Sequence, residues 1–213
     1  MAFDIAAMNG KTEIRALLFD LGGVLIDIDF DRVFRHWAGL SGKPYEVIRE
    51  HFVFDAHYHR YERGETDDAA FFDYVRRTLD LDASDEQILE GWNAVFIGLN
   101  QAVMTMVRQA AEQLPSYAFT NTSGSHQRAW SSAYPDIITA FRRVFSSAEM
   151  GLRKPDRNAF DAVVRDIGVD APSILFFDDM PQNVAGARDA GLQTVRVTSP
   201  ADVRRGLAGL GLV

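Results

Sequence analysis

Beyond residue 100 the chain keeps one rhythm: a short apolar run, a polar loop, then a stretch whose apolar residues recur at helical spacing. The runs fall at Tyr117–Phe119, Val144–Phe145, Ser173–Phe177 ("SILFF") and Thr194–Val197. Helices are expected at Gln101–Gln113, Asp156–Ile167 and Pro181–Ala190, with another after the last run. Strands that alternate with helices return over one face of a sheet by right-handed crossovers, so the sheet is mostly parallel. One further run of this type stands apart near the start of the chain. Ile14–Phe19 is apolar and is followed by Asp20, Leu21 and two glycines, as suits a buried parallel strand and the turn that leaves it.

The segment between that first strand and the later series has a different pattern. From Phe30 to about Asn100 helical periodicity replaces strand signals, with Phe34, Trp37 and Leu40 on one face. "DDAAFFDYVRRTL" places acids at its start and bases near its end, and "SDEQILEGWNAVF" offers Ser84 and Gln87 as a capping box. The expected architecture is an α/β, Rossmann-like core formed by residues 14–29 and 101–213, an inserted α-helical cap at 30–100 and an N-terminal extension at 1–13.

Composition narrows the class of function. The 213 residues carry 22 basic and 30 acidic side chains, a net charge of −8, with no basic run. Nucleic acid and anionic membranes are therefore poor partners, whereas a small anionic substrate remains compatible because local groups dominate inside a pocket. The chain has no cysteine, which removes disulfides and thiolate metal sites. Residues 1–13 lack the long apolar segment of a signal peptide, and no run reaches the ~20 apolar residues of a membrane span, so a cytoplasmic protein is expected.

In open α/β sheets ligands sit beyond the carboxyl ends of the strands. Four polar clusters lie in or near those loops. Asp20 is either a turn residue or a carboxylate nucleophile that forms an acyl-phosphate. Thr120 and Asn121, in "FTNTS", either shape a cap or turn or hold phosphate oxygens. Lys154, in "GLRKPD", is either a solvated charge or a group that neutralises a phosphate or the nucleophile beside it. Asp178 and Asp179, in "FFDDM", either cap the next helix or bind Mg²⁺, which takes a few carboxylates together with water and phosphate oxygens. Electrostatics couples the four: like charges ~4 Å apart repel by about 4 kcal/mol at an effective dielectric near 20. Three aspartates and a phosphate need a divalent cation and a lysine to share one pocket.

The order "FDLGGVL", "FTN", "GLRKP", "FFDD" resembles the four signature motifs of the haloacid dehalogenase-like hydrolases, over nearly the whole chain from Ile14 onward. "FDLGGVLIDIDF", "YERGE" and "FFDDMPQNVAGA" are similar to bacterial sugar-phosphate phosphatases of the α-D-glucose-1-phosphate type. The resemblance implies a Mg²⁺-dependent phosphatase of a small phosphorylated substrate. Asp20 would be the nucleophile and a metal ligand, and Thr120 and Lys154 would bind phosphate, with Asn121 shaping the phosphate loop. Asp179 would bind the metal directly, Asp178 directly or through water, and Asn183 would support both. "YERGE" would face the mouth of the core.

One position departs from the family pattern. Most phosphatases of this type carry a second aspartate two residues after the nucleophile as general acid and base, and here that residue is Gly22. Its carbonyl still suits a metal, but a proton carrier worth ~10²–10⁴-fold in rate is missing. Three compensations are open: a leaving group that needs little protonation, such as the anomeric oxygen of a sugar 1-phosphate; another side chain, such as Asp27 or a cap histidine; or water and metal alone. His51, His57 and His59 cluster in the cap and are read as surface or supporting groups rather than a zinc site. The alternatives in function are a 2-haloacid dehalogenase, whose halide leaves without a proton, and a binding or regulatory protein on the same fold.

Overall fold

The computed structural model describes residues 12–213, so the extension expected at residues 1–13 lies outside the described residues as far as position 11. The chain enters as β1 (Ala16–Phe19), forms a short β2 (Ile26–Ile28) and runs through five helices. These are α1 (Phe30–Ser41), α2 (Tyr45–His51), α3 (Ala56–Glu62), α4 (Asp68–Leu79) and α5 (Asp85–Asn93), after which the chain returns as β3 (Phe96–Leu99). The alternating part follows: α6 (Gln101–Ala111), β4 (Ser116–Thr120), α7 (Gly124–Ala133), α8 (Pro135–Ala140), β5 (Val144–Ser146) and the single turn α9 (Ser147–Met150). It continues through α10 (Arg157–Ile167), β6 (Ile174–Asp178), α11 (Pro181–Asp189), β7 (Gln193–Arg196) and α12 (Pro200–Ala208).

Five strands form one parallel sheet in the order β5-β4-β1-β6-β7, with β1 at its centre. Successive side chains of a strand point to opposite faces. Leu17 and Phe19 accordingly pack with Val107 and Phe177 on one side of the sheet, and Leu18 packs with Phe119, Phe160 and Phe176 on the other. From β1 the chain builds outward through β4 to β5, then crosses back to β6 on the other side of β1. That reversal opens a crevice at the carboxyl end of β1, where ligands bind in sheets of this type.

Helices α1–α5 surround an apolar cluster of their own, in which Val33, Trp37, Phe71, Val75 and Trp92 are buried. The capping box expected at the start of α5 is formed: Ser84 Oγ accepts from the Gln87 N–H, and Gln87 Oε1 accepts from the Ser84 N–H. Two local expectations are corrected. The segment read as one helix from Ser84 to Phe96 stops at Asn93, and Phe96–Leu99 is a strand antiparallel to β2. The partner that makes it a strand lies at Ile26–Ile28, far away in sequence, so no local window reveals it. The segment between β4 and β5, for which the sequence suggests no helix, contains α7 and α8, whose Trp130 and Ile137 are buried in the core.

Candidate active site

Three of the four polar clusters are placed by strand register. Phe19 pairs with Phe177 and with Ala118, so Asp20 leaves β1 level with Asp178 at the end of β6 and close to Thr120 at the end of β4. The Asp20 N–H donates to Phe177 O at 2.8 Å, which carries the ladder one residue past the strand. The fourth cluster arrives from the loop after α9. There Asn121 grips the backbone of Lys154 at both ends, its Nδ2 donating to Lys154 O and its Oδ1 accepting from Lys154 N, each at 2.9 Å.

Held in this way, the Lys154 side chain is fully buried. Its ammonium has three protons and three acceptors: Asp20 Oδ1 at 2.9 Å, Asp178 Oδ2 at 2.7 Å and Phe119 O at 2.8 Å. Of the two tasks left open by the sequence, neutralising a phosphate or the carboxylate beside it, the geometry has the lysine on the Asp20 carboxylate. Asp178 is equally committed. Beyond Lys154 it accepts from Met180 N at 2.8 Å and from Asn183 Nδ2 at 3.0 and 3.2 Å, so that Asn183, expected beside both aspartates, bonds to Asp178. Asn121 reaches the site through Lys154, since both ends of its amide are engaged with that residue's backbone.

Carboxylate oxygens of Asp20, Asp178 and Asp179 lie within 4.8 Å of one another. Three carboxylates against one ammonium leave two negative charges in a largely buried space. Burial pushes the Asp20 carboxyl well above its usual range; Lys154 draws it back, and Asp178 and Asp179 push it further up. Asp179 is raised by burial and by Asp178. For Lys154, burial acts to lower the value, but Asp178 and Asp20 hold it above the ordinary lysine range. An all-oxygen donor set with this excess charge fits a hard divalent cation such as Mg²⁺.

The glycines after Asp20 now have distinct reasons. Gly23 sits at φ +76°, and a Cβ there would lie 2.5 Å from Asp179 Oδ2. Its missing side chain is what admits the Asp179 carboxylate. A Cβ on Gly22 would meet Ile28 Cδ1 at 3.2 Å, a tight approach to a flexible methyl.

Asp20, Gly22, Thr120, Asn121 and Asp179 line a cavity of about 580 Å³. The far wall comes from α3, from the loop before it and from the ribbon of β2 and β3, and includes Ile28, Phe54, Tyr58 and Phe96. Two polar residues of the cavity lining, Glu62 and Arg153, were not singled out by sequence reasoning. Glu62, the second residue of "YERGE", pairs with Arg153, the neighbour of Lys154, at 2.8 Å, and Tyr58 Oη donates to Glu62 Oε1 at 2.7 Å. The only sequence signal was their position inside quoted motifs. The same segment is fastened to the core by Ser147 Oγ, 2.6 Å from Glu62 O, and by Tyr61 Oη, 2.5 Å from Ser125 Oγ. Gly64, at φ +66°, lies so close to Ala148 O that a Cβ would stand 2.4 Å from it. Of His51, His57 and His59 only His59 lines the cavity, and Asp27 is exposed on β2 outside it.

A family model described as haloacid dehalogenase-like hydrolase matches residues 14–191. A phosphatase of Mycobacterium tuberculosis, MT3486, is 28% identical over 94% of this chain and 96% of its own length. A D-ribitol-5-phosphate phosphatase of Bacteroides thetaiotaomicron is 21% identical over 91% and 97%. Among solved structures, a HAD family enzyme of Bacteroides thetaiotaomicron in complex with magnesium and inorganic phosphate superposes with a TM-score of 0.75 at 28% identity, covering 86% of this chain and 93% of that one. An L-2-haloacid dehalogenase of Xanthobacter autotrophicus shares the fold, with a TM-score of 0.65 at 17% identity over 94% of this chain and 84% of its own.

Proposed function

The chain belongs to the haloacid dehalogenase-like hydrolases, and from that premise we propose that it is a cytoplasmic, Mg²⁺-dependent phosphomonoesterase that works through an aspartyl-phosphate on Asp20. The substrate in this reading is a small phosphorylated compound, a sugar phosphate such as a sugar 1-phosphate. The observation that carries it is the meeting of Asp20, Asp178, Asp179 and Lys154 at the carboxyl ends of adjacent strands, with two negative charges in excess at the floor of the cavity.

Asp20, Asp179 and the Gly22 carbonyl would hold the cation, with Asp178 behind them. Bound there, Mg²⁺ supplies positive charge to the transferring phosphoryl group and relieves the repulsion among the carboxylates. Lys154 fixes the Asp20 carboxylate through Oδ1, so that its other oxygen is free to attack phosphorus in line with the leaving oxygen. Thr120, at the end of β4, offers its hydroxyl to phosphate oxygens on the same cavity wall. Helices α1–α5, as a cap, exclude water and choose the leaving group. Because Gly22 supplies no acid, a leaving oxygen of low basicity suits the first half of the reaction, and the anomeric oxygen of a sugar 1-phosphate is one. The Bacteroides D-ribitol-5-phosphate phosphatase supports a sugar-phosphate class.

The dehalogenase reading is weaker. Carbon–halogen displacement gives a cluster of three carboxylates no cation to hold, and the likeness to the Xanthobacter enzyme extends only to the fold. Phosphate release from matched sugar 1- and 6-phosphates, with Mg²⁺ and with EDTA, tests the proposal. Turnover should require Mg²⁺, favour the 1-phosphates and vanish in Asp20→Asn. Most activity surviving in that variant, or in EDTA, would overturn it.

A further inference from the structure

A leaving group of low basicity settles only half of the proton problem. In the second half of the reaction water attacks the aspartyl-phosphate, and that water must lose a proton whatever alcohol has departed. The cavity presents a short roster of groups that could take it. Asp20 is itself esterified at that moment, and Asp179 belongs to the cation site. Glu62 is bound through Oε2 to Arg153 and through Oε1 to Tyr58, whose hydroxyl proton is thereby committed. His126 is buried, stacked 4.3 Å from Trp92, with Nε2 engaged by Trp92 O at 3.1 Å. His59 remains. It lines the cavity from α3, it is half-buried, and its ring nitrogens make no hydrogen bond among the described residues.

Resting on the phosphatase reading above, we propose that His59 is the general base of aspartyl-phosphate hydrolysis and so stands in for the side chain absent at Gly22. The water oxygen bonds to phosphorus, the bond from phosphorus to the Asp20 oxygen breaks, and the electron pair returns to the Asp20 carboxylate. The water proton passes to a ring nitrogen of His59. The resulting imidazolium gives its proton back to solvent or to the leaving oxygen of the next substrate. The surroundings of the ring, burial foremost, favour a neutral imidazole at rest. Burial, Arg153 from the core and Arg63 lower its affinity for a proton, against Glu62 and Asp55 of the same segment. α3 is anchored to the core at Tyr61, Glu62 and Gly64, so the ring is presented from a fixed helix.

The test uses 4-nitrophenyl phosphate, whose leaving group needs no proton, with the Mg²⁺-loaded full chain. In His59→Asn the first half should proceed as in the wild type while the second half slows. The variant should show a pre-steady-state burst of 4-nitrophenolate approaching one per active site. Its kcat should fall by ~10²–10⁴-fold, with KM falling in step and kcat/KM retained. Intact mass of the quenched protein should show one added phosphoryl group, and the decline of kcat at low pH expected of the wild type should be absent from the variant. His57→Asn, whose ring stacks on Tyr74 outside the cavity, should behave as wild type. Unchanged kcat without a burst in His59→Asn would overturn this assignment alone. Absence of Mg²⁺-dependent turnover in the wild type would overturn the phosphatase reading, and this inference with it.

Discussion

His126 lets the junction between helices α1–α5 and the sheet be tested by pH alone. The residue projects from α7 and stacks on Trp92 of α5, with its ring also meeting Phe96 edge-on at 5.1 Å. Because Trp92 O can only accept, Nε2 carries the proton of the neutral ring. Burial lowers its pKa from 6.5 to about 4, the hydrogen bond to Trp92 O opposing that only in part. A base whose folded-state pKa is depressed contributes its full stability above the unfolded pKa and loses it as pH falls toward the folded one. The window is therefore pH 6.5 down to about 4. At 1.36 kcal/mol per unit, the loss reaches about 2.5 kcal/mol by pH ~4.5. His126→Phe keeps a stacked ring and removes both the titration and one hydrogen bond, the latter worth about 1 kcal/mol. The variant should be about 1 kcal/mol less stable than wild type near pH ~7.5 and about 1.5 kcal/mol more stable near pH ~4.5, with a crossing close to pH ~6. Urea unfolding at three pH values measures this, and other titrating groups, Asp20 among them, cancel in the difference. A wild-type-minus-variant difference that does not change sign across that range would refute the reasoning.

Two further outcomes follow from the floor of the site. Gly23→Ala places a methyl 2.5 Å from Asp179 Oδ2 at φ +76°, so it should lower Mg²⁺ affinity at least ~10-fold by calorimetric titration and cost about 1–2 kcal/mol of stability. Unchanged affinity would remove Asp179 from the cation site. Asn121→Ala removes both hydrogen bonds to the Lys154 backbone and should cost about 1–3 kcal/mol in urea unfolding while lowering kcat more than it raises KM. Wild-type kcat in that variant would mean that Lys154 is positioned by other contacts.

The sequence by itself determined the sheet and the floor of the site. Strand, turn and helix signals are local, and a polar residue directly after an apolar run lands at the carboxyl end of its strand. Asp20, Thr120 and Asp178 could therefore be brought together from their flanks alone, whereas Gly22 stands out as a gap only through the resemblance to the family pattern. What a side chain faces was decided by packing. Strand β3 exists because Ile26–Ile28 is there to pair with it, and α7 and α8 are helices in a segment where the sequence suggests none. Lys154 took Asp20 as a partner because the fold buries it completely between two aspartates. Three histidines of similar appearance were separated by packing: the docking of α3 turns His59 toward the cavity and leaves His57 outside it, and His51 ends α2 outside it as well. Glu62 and Arg153 lie 91 residues apart, and no periodicity links them. Charges acquire roles from burial and from neighbours supplied by distant segments, and those are properties of the closed tertiary structure.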